Sequence, residues 1–96
     1  MVKIRKGKDM TEQEIKNMAV KAAEEKGFKV TRSDGSHYEL ETESEIITVG
    51  TTTHAKATIC INRYKKDGWH RIPTTHQLIK IGCKSNTAER KINQII

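Results

Sequence analysis

Between residues 12 and 26 the apolar positions recur at helical spacing. Ile15, Met18, Ala19, Ala22 and Ala23 line one side, and charged or amide side chains fill the rest. Thr11-Glu12-Gln13-Glu14 ahead of them fits a capping box, in which the Thr11 hydroxyl and the Glu14 carboxylate each accept a backbone N–H that the first turn leaves unpaired. Gly27 ends the run, because glycine takes the left-handed conformation that stops a helix at no steric cost.

From Phe28 the period drops to two. Residues 28–32 alternate, which places Phe28, Val30 and Arg32 on one face. Ser33-Asp34-Gly35-Ser36 is a turn cluster with a strong Asp-Gly hairpin signal, residues 37–41 return, and residues 45–49 add a third strand. Residues 56–65 predict a fourth, with Ile59, Ile61 and Arg63 on one face and Thr58, Cys60, Asn62 and Tyr64 on the other. Lys65-Lys66-Asp67-Gly68 reads as a second hairpin turn and residues 69–72 lead back. Pro73 is expected to break that strand or confine it to an edge. Residues 78–83 form a further apolar run, and Asn86-Thr87-Ala88-Glu89 offers a weaker capping pattern before Ile92, Ile95 and Ile96.

These elements predict an α+β fold: an N-terminal helix, an antiparallel sheet of four or five strands, and a short C-terminal helix on the same face. The 96 residues suit one domain, with a basic arm over residues 1–10 and the folded unit over 11–96. No apolar run approaches the length of a membrane span, so the expectation is a cytoplasmic protein with no membrane partner. Cys60 and Cys83, each in an apolar setting, read as small core residues in a reducing compartment and not as a disulfide.

Charge changes the picture, because the formal net charge of +6 is unevenly spread. Lys3, Arg5, Lys6 and Lys8 open the chain, and Asp34, Glu39, Glu41, Glu43 and Glu45 form an acidic tract. Nine Lys or Arg lie between residues 56 and 91 against Asp67 and Glu89 alone. A basic surface beside an acidic edge points to a phosphate-bearing partner, or more plainly to a solvated charged surface.

The order Gly27, Phe28, Arg32, Gly35, Ser36, His37, directly after an amphipathic helix, resembles the HicA-type mRNA interferase toxins. The resemblance covers about residues 11–50. It implies a double-stranded-RNA-binding-domain-like fold of helix, three strands and helix, with residues 51–85 and their additional strands as an extension. It also implies that His37 is catalytic, that Gly35 and Ser36 shape the turn presenting it, and that a HicB-type antitoxin covers it. No cofactor is implied. Metal-free RNA cleavage needs a base to take the proton of a 2′-hydroxyl, an acid for the leaving oxygen, and positive charge for the phosphorane. Histidine suits either proton transfer, and Arg32 and Lys29 on the adjoining strand are candidate phosphate ligands. The plainer reading of His37 is a solvated residue on the wet face of a hairpin.

Outside that stretch, Trp69 with Arg63, Tyr64, Lys65, Lys66 and Arg71 around one hairpin is the best nucleic-acid signal. Its alternative is a tryptophan needed for packing and turn lysines in water. Cys60, Cys83, His54, His70 and His76 lack the paired spacings of a zinc site, so no metal is expected. Two functions stand: an RNA-binding, HicA-like domain (DNA being the weaker candidate), with or without ribonuclease activity; and a small non-enzymatic regulator or inhibitor of mobile-element or phage type. The second would bind a protein partner and use the acidic tract as a phosphate mimic.

Overall fold

The computed structural model describes residues 9–34, 36–52, 57–67 and 70–96, the side chains of residues 52, 67 and 70–73 apart. Helix α1 (Glu12–Glu25) is followed by β1 (Lys29–Ser33), β2 (His37–Glu41), β3 (Glu45–Thr52), β4 (Thr58–Asp67), β5 (His70–Lys80) and α2 (Ser85–Ile95). Each strand pairs antiparallel with the next, in the order β1-β2-β3-β4-β5. The α+β architecture is the one the periodicities predict, with five strands.

The capping box forms as expected: the Thr11 hydroxyl accepts from the Glu14 N–H and the Glu14 carboxylate from the Thr11 N–H. Gly27, at φ +98°, lets the chain leave the helix. Both helices lie on one face of the sheet. There Ile15, Ala19, Ala23, Ala88, Ile92 and Ile95 pack against Leu40, Ile47, Val49, Ile59, Ile61 and Ile79. Burying each of these large aliphatic side chains is worth about 1.5–3 kcal/mol. The predicted stripe differs in one respect: Met18 and Ala22 are half-buried, whereas Lys16 is 1% exposed.

Several boundaries differ from those the sequence predicts. Asp9 and Met10, placed in the arm, belong to the fold. Met10 exchanges backbone bonds with Gly82 and Cys83 and is buried, and Asp9 pairs with Lys84. Pro73 does not break its strand, because β5 is an edge strand and a register irregularity opposite Arg63/Tyr64 absorbs the extra residue. The apolar run at 78–83 leaves the strand after Lys80, and α2 starts at Ser85 with Lys84 as an N-cap that makes no side-chain bond. Cys83 packs against the core, but Cys60 lies on the opposite sheet face; both are free thiols.

Arg63 closes the far end of the core. Its guanidinium meets both carboxylate oxygens of Glu45, at 2.7 and 3.1 Å, and donates to the Ile95 carbonyl of α2 at 2.8 Å, with the Phe28 ring 5.6 Å away. Arg63, expected at a nucleic-acid surface, is therefore spent on tying β3, β4 and α2 together. The hydrogen bond from Arg63 holds the Glu45 carboxyl below the ordinary value of 4.5. A depressed carboxyl contributes stability that is complete above 4.5 and is lost as pH falls through the lowered folded value. Glu45→Gln is therefore expected to be less stable than wild type near neutrality, and urea unfolding at successive pH values should show the gap closing in acid.

Candidate nucleic-acid interface

With both helices on one side, the other sheet face carries no secondary structure among the described residues. Cross-strand pairing sorts its side chains into rows. His37, Gly50, Cys60 and Leu78 form the first row across β2 to β5. Arg32, Glu39, Thr48, Asn62 and His76 form the second, and Lys29, Glu41, Ile46, Tyr64 and Pro73 the third. The faces are distinguishable by their contacts. Tyr38, the neighbour of His37, turns toward α1 and accepts from Gln13, and Leu40 is in the core.

His37 begins β2 and is exposed. Asp34 closes the turn before it, its carboxylate accepting from the His37 N–H at 3.0 Å and its own N–H donating to the His37 carbonyl at 3.2 Å. The imidazole lies over Gly50. A Cβ there would meet Nδ1 at 2.5 Å and Cε1 at 2.9 Å, so only glycine leaves the ring its present place.

Arg32 reaches this face through a bulge. Val30 stands opposite Leu40, yet Arg32 stands opposite Glu39, so one extra residue, Thr31, reverses the alternation. Phe28, Val30 and Arg32 thus do not share a face: Phe28 is in the core, Val30 is 39% exposed on the helix side of the edge strand, and Arg32 sits diagonally from His37. Diagonal neighbours are roughly 7–8 Å apart, within reach of a long side chain. Lys29 is exposed in the third row. Ser36 is exposed, and its carbonyl accepts from Lys16. Gly35 lies outside the described residues.

Among the described residues, Arg63, Lys65 and Lys66 of the hairpin cluster do not form one basic patch. Arg63 and Lys65 fall on the side of Glu45, whereas Lys66 falls on the open face, bonded to Glu41 at 2.8 Å and to the Thr42 carbonyl at 2.8 Å. Trp69 and the side chain of Arg71 lie outside the described residues. The cleft of about 710 Å³ between Lys29, Glu41, Thr42 and Lys66 holds a cancelled charge pair. Within the acidic tract, Asp34 is engaged on the His37 turn, Glu41 on Lys66 and Thr31, and Glu45 on Arg63. Among the described residues, no group of three His, Cys, Asp or Glu could hold a metal ion, and no helix is long and apolar enough to cross a membrane.

Comparison of this chain with protein-family models, curated proteins and solved structures finds no match.

Two residues of the site carry sequence signals that residue-type searches pass over. Gly50 is a lone glycine at the end of a β-branched run, a sign of close approach by another group. Lys16 lies on the helical stripe of Ala19 and Ala23 and is four residues from Glu12. A double-mutant cycle tests the seat of the ring. Alone, His37→Ala should change stability by no more than about 0.5 kcal/mol. Gly50→Ala should displace the imidazole and shift its NMR signals, and in the His37→Ala background the same methyl should be tolerated better than in wild type.

Proposed function

We infer that this chain is an RNA-binding domain of HicA-like type, that its open sheet face receives the nucleic acid, and that His37 is the acid–base group of a metal-independent ribonuclease. The observation that carries the reading is the setting of His37. It is exposed at the first residue of a strand, seated over a glycine, with a cationic side chain brought to the same face by a bulge. The resemblance of residues 27–37 to the family supports the same residue from a separate direction. No ion pair among the described residues occupies Lys29 or Arg32, so both cations are available to phosphate. Tyr64 in the third row offers a ring on which a base can stack.

In such a cleavage the 2′-oxygen attacks the adjacent phosphorus as its proton passes to the base. The bond from phosphorus to the 5′-oxygen breaks, and that oxygen takes a proton from the acid. His37 supplies one of the two transfers, and Arg32 offsets charge on the phosphorane. His76 stands three strands away, roughly 14 Å or more, too far to act on the same phosphate. Among the described histidine side chains none other is near, and this reading assigns the second transfer to water at the open face. DNA lacks the 2′-hydroxyl, so the chemistry selects RNA. A HicB-type antitoxin is the protein partner this reading implies.

RNA oligonucleotide binding measured from about 50 to 200 mM salt tests the reading, since counterion release makes log affinity fall linearly with log salt. Lys29→Ala with Arg32→Ala should weaken binding and lower the slope by about 2. His37→Ala should bind as wild type does and no longer cleave. Absence of binding at low salt would sink the nucleic-acid reading. A complex with a protein that survives nuclease treatment, without RNA binding, would favour the regulator.

A further inference from the structure

Lys16 is the most deeply buried charged residue described, with 1% of its side chain exposed. Removing an ammonium from water costs several kcal/mol unless it is paired and fully bonded. Its partners lie 2.7 Å away on two sides: the Glu12 carboxylate one helical turn back, and the Ser36 carbonyl at the start of β2. The same Glu12 oxygen accepts from the Thr51 hydroxyl at 3.1 Å.

The two residues gripped in this way, one just before β2 and one in β3, have a common neighbourhood. Ser36 immediately precedes His37, and Thr51 immediately follows Gly50, the residue under the imidazole. His37 and Gly50 are themselves cross-strand partners. One chain of contacts, Thr51 to Glu12 to Lys16 to Ser36, therefore runs behind the sheet and joins the ends of β2 and β3 whose other face carries the ring.

We propose that Lys16 and Glu12 form a clamp that positions the His37 imidazole over Gly50, making Lys16 a positioning residue for the candidate site. The catalytic half of this statement rests on the ribonuclease reading; the geometric half does not. An apolar residue at position 16 would bury its side chain without the desolvation cost, but it would leave the Ser36 carbonyl unbonded and the β2 start free to shift. A buried ammonium bonded to the Ser36 carbonyl and to the exposed Glu12 carboxylate, which in turn accepts from the Thr51 hydroxyl, specifies geometry at the two strand ends more than it adds stability.

NMR of the His37 ring in the full chain tests the clamp without RNA. In wild type the ring protons should show contacts to the Gly50 α-protons. In Lys16→Met those contacts should weaken at least two-fold, while amide signals of β4, β5 and α2 stay in place. Full-strength contacts in a folded Lys16→Met protein would overturn the proposal. If Lys16→Met does not fold, Thr51→Val decides by the same signal, because it loses only an exposed hydroxyl. Weakened ring contacts then support the clamp and unchanged ones overturn it. With RNA, Lys16→Met should lower the cleavage rate about ten-fold or more at unchanged affinity. A wild type that leaves RNA whole removes the nuclease reading and leaves the ring contacts to judge the clamp.

Discussion

Two short helices can cover only one side of a five-stranded sheet, and the rest of this molecule follows from that inequality. The isoleucines of β3, β4 and β5 that face α1 and α2 are fully buried and form the single core. The same strands must present their alternate residues on a face that no helix covers. That face carries Thr48, Asn62, Tyr64, His37 and His76, side chains that tolerate water and can also bond or stack. Its largest apolar member with substantial exposure is Leu78, at 42%. The same face also holds Ile46, which is 1% exposed, so it is accessible at some rows and closed at others.

An open sheet also has two edges to manage. β1 is short, exposed throughout and bulged, with Lys29 and Arg32 along it, a combination that discourages pairing with another strand. β5 is longer, but Pro73 gives it no backbone N–H at that position and neighbouring side chains occupy the polar groups of Leu78. The Leu78 N–H donates to the Gln77 side chain, and Lys91 of α2 donates to the Leu78 carbonyl. On β1 the bulge has a second effect, because it turns Arg32 to the face of His37. A device that protects an edge thereby also sets an arginine diagonally from His37.

Charge behaves differently in the fold from its distribution along the chain. The acidic tract and the basic segment are separate blocks in sequence, yet antiparallel pairing lays one against the other. Glu45 meets Arg63 and Glu41 meets Lys66. Much of the apparent sign separation is thus internal neutralisation. Among the described residues, Lys29 and Arg32 at the β1 edge and Lys65 of β4 stay outside these pairs.

The chain's own pattern determined the element types, the capping box at Thr11, the stop at Gly27, the two faces of β4 and the α+β class, because each depends on residues within a few positions of one another. It also drew attention to His37 through a turn followed by a strand. What it left open depends on residues far apart: Lys16 reaches Ser36, Gly50 lies under His37, and Arg63 closes on Glu45 and the end of α2. The bulge at Thr31 belongs with these, since alternation within β1 assigns Arg32 to one face and only pairing with β2 assigns it to the other. Periodicity is a local property, readable from one strand or helix at a time. Register, burial of a charge and the space above a glycine exist only once two strands and a helix have met.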